Sequence, residues 1–203
     1  MVRIVALASG RGSNFAAILA AIQSKIIPNS EMVGLVVDRP STGAQNHAQQ
    51  SNVECTVVDY NNFQLKIDYH VAFAEAVESF QPDLIVAAGY MRILDSDFVH
   101  RYKNRILNIH PSLLPAFVGL NAQRQAIEYG VKVAGCTVHF VDQGLDSGPI
   151  VIQKAINVPE NSTEESLSTL IRTLEHSAYI EAVSLFCSDR LQVEGRIVKI
   201  SKQ

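Results

Sequence analysis

The chain has 203 residues, 47% hydrophobic and 18% charged, with a formal net charge of −3 at neutral pH. That is the size and balance of one domain with a full core, and the lack of a basic surplus gives no footprint for nucleic acid. No apolar run reaches the length of a membrane span. Cys55, Cys136 and Cys187 are widely spaced and odd in number, so they suggest neither a disulfide framework nor a metal pattern and suit a reducing, cytoplasmic setting.

Apolar runs and helical patterns alternate through the first two-thirds. Ile4 to Ala8 reads as a buried parallel strand, since both faces of such a strand are covered. It feeds the loop SGRGSN, Ser9 to Asn14, and then an amphipathic stretch from Phe15 to Ser24. Strands are expected over 32–37, 55–58, 84–88 and 106–109, with helices over 42–50, 67–80 and 96–102 between them. Repeated strand–helix–strand order predicts an α/β fold, a Rossmann-like, mostly parallel sheet flanked by helices. The last third changes character. Strands over 134–141 and 150–158 have only a loop between them, which predicts a β extension with antiparallel pairing. Ser162-Thr-Glu-Glu165 resembles a capping box opening a long helix to about Cys187, and a hairpin turning at Gly195 follows. The organisation expected is one domain, 1–203, with a nucleotide- or phosphate-binding half over 1–105 and a catalytic half over 106–203.

Three loops carry chemistry. In SGRGSN, glycines let the backbone approach an anion, and the N–H groups of Gly12, Ser13 and Asn14 are expected to face outward at a helix start. The plainer reading is a tight turn with Ser13 capping the helix. It is neither a Walker A loop nor a full G-x-G-x-x-G, because Phe15 stands where the third glycine belongs. The second loop, AGYMRIL over 88–94, offers an apolar slot with one cation, or simply core packing beside a solvated Arg92. The third, ILNIHPSLLPAFVG over 106–119, places Asn108 and His110 two apart in a strand. They therefore face the same side, and Pro111 ends the ladder. With Asp146 in GLDSGP, an amide, an imidazole and a carboxylate could converge where the sheet ends. A lone histidine is more often structural. Glu175-His176 reads as a helix surface pair.

NIHPSLLP, GCTVHFV, LDSGP and SGxGSN together resemble the phosphoribosylglycinamide formyltransferase family, folate-dependent enzymes of purine synthesis. The likeness runs from Val2 to about Phe186, in the family's order. It implies transfer of a formyl group from 10-formyltetrahydrofolate to the amine of glycinamide ribonucleotide by the set Asn108, His110 and Asp146. It implies that Gly12, Ser13, Asn14 and Glu175 hold the ribonucleotide. Lys66, Met91, Arg92, Ile93, Leu94, Asn108, Asp142, Gln143, Gly144 and Leu145 are implied to meet the folate. No metal, nucleic acid or membrane partner is implied, and the chain is expected to be a cytoplasmic monomer or homodimer. Lys66 stands where the family commonly has arginine. Asn121 and Gln123 stand where histidines are frequent, and LPAFVG resembles the deformylase form of its loop.

The expected mechanism has Asn108 and a protonated His110 stabilising the charge that develops on the formyl oxygen, with Asp146 orienting His110. The rival is a 10-formyltetrahydrofolate hydrolase using the same three residues on water. A non-catalytic nucleotide-binding module would leave those three without a purpose.

Overall fold

A computed structural model of the chain describes residues 1–202. Its centre is a run of strands in which both faces are buried. β1 (Val2–Ala8) lies between β2 (Ser30–Val37) and β4 (Leu84–Ala87), with β3 (Cys55–Val57) outside β2 and β5 (Ile106–His110) beyond β4, all parallel. β1 shows why. Ile4, Ala6 and Ala8 enter one apolar cluster, and Val5 and Leu7 enter the other, as a period of two requires. The first cluster is covered by α1 (Ser13–Gln23), α2 (Gly43–Gln50), α5 (Ala122–Tyr129) and α6 (Glu164–Cys187), the second by α3 (Lys66–Glu78) and α4 (Ser96–Arg101).

The expected β extension is part of this same sheet. β6 (Val133–Phe140) pairs antiparallel with β5, and β7 (Ile150–Asn157) antiparallel with β6. The terminal hairpin, β8 (Leu191–Glu194) and β9 (Ile197–Ile200), attaches to β7 through the single pair Ile150–Ile197, giving nine strands in the order β3-β2-β1-β4-β5-β6-β7-β9-β8. Among the described residues, no helix is long and apolar enough to cross a membrane.

Two expectations fail locally. The capping box of α6 is formed by Thr163 and Ser166, one residue later than Ser162 and Glu165, because the Ser162 hydroxyl donates instead to the Pro159 carbonyl (2.7 Å). Ser13 does not cap α1. Gly12 is the cap residue, left-handed at φ +75° with no side-chain bond. A Cβ there would lie 2.6 Å from the Cα of Ala44 in α2, so conformation and packing both demand glycine. α5, which had no counterpart in the sequence reading, buries only Ala122 and Ala126.

Candidate active site

β5 and β6 bring four polar side chains to one face. Leu107 and Ile109 point into the α6-side cluster, as do Cys136 and Val138 on β6. Their neighbours Asn108, His110, Thr137 and His139 therefore face the other way. The antiparallel register sets Asn108 opposite His139 and His110 opposite Thr137. Loops, not a helix, cover them there. Asp146 closes the group, its Oδ2 3.3 Å from His110 Nδ1 and its Oδ1 3.8 Å from His139 Nε2. The three residues expected to converge, Asn108, His110 and Asp146, do so around His139.

Hydrogen-bond partners fix where the protons sit. His139 Nδ1 faces the Phe140 carbonyl at 2.9 Å and must donate to it. Burial holds its pKa below the ordinary 6.5, so the ring is neutral and Nε2 offers a lone pair. Asn108 Nδ2 donates to it (3.2 Å), which orients the amide and leaves its second N–H and its oxygen for a ligand. With His139 neutral, the 3.8 Å approach to Asp146 is not an ion pair. His110 differs. Its Nε2 donates to the Phe117 carbonyl (2.8 Å), while Nδ1 meets the Asp146 carboxylate. At 3.3 Å, Nδ1 stands within ion-pair distance of that carboxylate whenever the ring carries a proton there. His110 is 5% exposed and its Nε2–H is taken by Phe117, so that N–H is not free, as an oxyanion donor would have to be.

The loop after β5 builds this cage. Thr137, fully buried, donates to the Ser112 carbonyl (2.7 Å) and accepts from Leu114 N and Gln153 Nε2 (3.0 Å each). Farther along, Gly119 N donates to Asp146 Oδ2 (2.8 Å). Phe117 and Asp146 are held at φ +53° and +49°, a left-handed region that aspartate tolerates but that is disfavoured for a bulky side chain such as Phe117. Such strain persists only where surroundings over-determine it. Gly148 lets the Asp146 loop lie on β6, since a Cβ there would overlap the Phe140 carbonyl oxygen.

The SGRGSN loop lies at the end of β1, two strand spacings from β5 and so roughly 10 Å across the sheet. Asn14, 8% exposed, donates from Nδ2 to Glu175 Oε2 (3.0 Å), joining α1 to α6 across 161 residues of sequence. Its Oδ1 is buried without a partner. Gly12, Ser13, Asn14 and Glu175 are thus gathered at one place, with a helix N-terminus beside them.

The expected folate residues divide. Asp142, Gln143 and Gly144 line a cleft of about 480 Å³ between α4 and the turn of the terminal hairpin, with Val99 and Val141 as apolar wall. Asn108, His110 and Asp146 are not among the residues lining this cleft. Leu145, Met91 and Ile93 are exposed apolar side chains at 60%, 64% and 80%, and Lys66 opens α3 on the surface. Leu94 is half-buried against Tyr90 and Phe98. Arg92 is neither solvated nor the free cation of a slot. Its Nε donates to the buried Asp38 (2.6 Å) and its guanidinium stacks on Tyr60 at 3.6 Å.

His139 and Thr137 were not singled out from sequence. The signal was present in GCTVHFV, where two polar residues alternate with buried apolar ones and so mark the second face of a strand.

The formyl transferase family pattern matches residues 2–183. A phosphoribosylglycinamide formyltransferase of Bacillus subtilis is 39% identical, over 88% of this chain and 91% of its own. The structure of glycinamide ribonucleotide transformylase 1 from Symbiobacterium toebii superposes with a TM-score of 0.96 at 44% identity, covering 100% of this chain and 95% of that one. A formyltetrahydrofolate deformylase from Pseudomonas syringae also superposes, at a TM-score of 0.93 and 25% identity, over 99% of this chain and 66% of its own. The trifunctional purine biosynthetic protein adenosine-3 of Gallus gallus is 36% identical over 95% of this chain, which spans only 19% of that protein's length.

Proposed function

The chain belongs to the formyl transferase family, and from that premise we propose that it transfers the formyl group of 10-formyltetrahydrofolate to the amine of glycinamide ribonucleotide, a step of purine synthesis. The observation that carries the reading is Asp146 drawn against His110, with the His139-oriented amide of Asn108 alongside, at the same strand ends as the glycine cradle. The relatives named for this activity match at 39% and 44% identity over most of both chains, against 25% for the deformylase.

In this reading the substrate phosphate takes the amides of Gly12, Ser13 and Asn14, and Glu175 and Asn14 receive the ribose-glycinamide portion. The folate lies against the backbone of Met91–Leu94 and Asp142–Leu145, with Lys66 facing its carboxylates. The amine attacks the formyl carbon, and the free N–H of Asn108 meets the oxygen on which charge develops. His110, when protonated, adds positive charge nearby and fixes Asp146. The outer oxygen of Asp146 accepts the proton that the amine loses, directly or through one water. That proton then goes to the folate nitrogen as its bond to the formyl carbon breaks, leaving tetrahydrofolate and the formylated ribonucleotide.

The test follows folate release from 10-formyltetrahydrofolate with and without glycinamide ribonucleotide. Release that requires the ribonucleotide supports the transferase. Release that ignores it indicates a hydrolase, and none under either condition indicates a binding module. Replacing Asn108 by alanine should lower kcat by about 10²–10³ with the fold intact.

A further inference from the structure

Asp38 is the only fully buried carboxylate among the described residues, and no step above uses it. It stands one residue beyond β2, three strands from β5 in the sheet order and so roughly 15 Å from the reacting groups. Its two oxygens are met by guanidinium groups. Arg92 donates from Nε at 2.6 Å, and Arg39 lies alongside at 3.2 and 3.3 Å. Arg39 is half exposed, whereas Arg92 is 26% exposed and roofed by the Tyr60 ring. Tyr60 is itself pinned, since its backbone N–H donates to the Asp38 carbonyl (3.1 Å). Asp38 thus grips Arg92 directly and holds the aromatic face that covers it.

Arg92 belongs to the loop between β4 and α4, whose other ties also lead to a strand end. Met91 N donates to the Ser9 hydroxyl (2.9 Å), and Ser9 N donates to the Gly89 carbonyl (3.1 Å). The backbone is fastened at Gly89 and Met91, and Arg92 is tied through its side chain, while the side chains of Met91 and Ile93 stand out into solvent. A loop whose backbone is fixed and whose apolar side chains are presented is already organised for a flat, partly apolar ligand, because less conformational freedom is lost on binding.

We propose that Asp38 is a positioning residue for the folate co-substrate. It acts through Arg92 to hold the 89–94 backbone in its binding geometry, and the Arg92 side chain is a strut rather than a contact to the folate carboxylates. A planar guanidinium held by a carboxylate and an aromatic face suits that duty better than a point charge. The inference rests on the formyltransfer reading for the identity of the ligand, though not for the behaviour of the loop.

The test compares Asp38→Ala, Asp38→Asn and Arg92→Met with the parent chain. Initial rates are measured with each substrate varied in turn, and amide hydrogen exchange is followed along the chain without substrates. Asp38→Ala is expected to raise KM for 10-formyltetrahydrofolate about tenfold or more, with KM for glycinamide ribonucleotide within about twofold. Exchange should quicken at 91–94 and stay unchanged at 106–119. Asp38→Asn should fall between, since its amide oxygen still accepts from Arg92, and Arg92→Met should reproduce the folate effect even if Asp38→Ala does not fold. Equal changes in both KM values, no change in either, or faster exchange throughout the chain would each overturn the proposal. A parent chain that ignores glycinamide ribonucleotide would instead overturn the functional reading, and the exchange comparison would still decide what Asp38 does.

Discussion

Two histidines 29 residues apart in sequence, His110 and His139, sit around one carboxylate in different surroundings. The difference lies in the partners of the two ring nitrogens. His110 lies between a carbonyl and a carboxylate, and His139 between a carbonyl and an amide donor. His139 is therefore a positioning residue for Asn108, and its value can be separated from that of the amide. Losing one orienting hydrogen bond of about 1 kcal/mol corresponds to roughly five- to tenfold in rate. His139→Ala should thus cost kcat about tenfold, well short of the loss from Asn108→Ala. The reverse order would make His139 the reacting group. The buried neutral ring also sets a pH dependence. Its folded pKa lies below the 6.5 of the unfolded chain, so the unfolded chain binds the extra proton first on acidification. Stability should be level above about pH 6.5 and fall as pH drops toward the folded value. His176, also depressed by burial, adds to the fall. Denaturant midpoints between pH 8 and 5.5 should decline less steeply in His139→Gln than in the parent, and equal slopes would mean that His139 is already charged.

At the level of elements, strand faces were more legible than loops. Asn108 and His110 could be placed on one side of β5 by alternation alone, and β6 repeats the device with Thr137 and His139. What alternation could not supply was the path of 111–119. That path depends on Thr137 accepting from and donating to a loop 25 residues away. Helix starts were hidden for a similar reason. Ser162 looks like a cap until its hydroxyl is found bonded in the preceding turn, and α5 shows only two alanines to its core, too little apolar pattern to detect. The Thr137 network makes a prediction. Thr137→Val keeps the shape but leaves a buried carbonyl and a buried N–H unpartnered, at a cost of about 1–3 kcal/mol. The urea midpoint should fall with an unchanged slope, and kcat should fall with it, because the same loop supplies the Phe117 and Gly119 groups. Unchanged stability would mean that the loop holds itself.

Over the whole molecule, the sheet is built from strands of very unequal security. β1, β4 and β5 lie at its middle, with nearly every residue buried and helices or loops on both faces. The order of apolar runs announced that part, because fully apolar strands of four to eight residues have few other places to go. The hairpin was legible as a hairpin but not as the end of the same sheet, since nothing in Leu191–Ile200 names its neighbour. Its attachment is correspondingly slight. β9 meets β7 through one residue pair, and most of its side chains are exposed. Leu191, Val193 and Val198 contribute only partly buried contacts to the core. Opening such an edge exposes little apolar area and breaks few bonds, so it should proceed without unfolding the centre. Native-state hydrogen exchange should therefore show the amides of β8 and β9 exchanging by local opening, with weak dependence on denaturant. Those of β1, β4 and β5 should exchange only with the global transition. The cleft beside Asp142–Gly144 has the hairpin turn as one wall, so this local opening would loosen the proposed folate side and leave the glycine cradle closed. Equal protection in the hairpin and in β1 would show instead that the sheet opens as one cooperative unit, and that the single Ile150–Ile197 pair is reinforced by packing against α4.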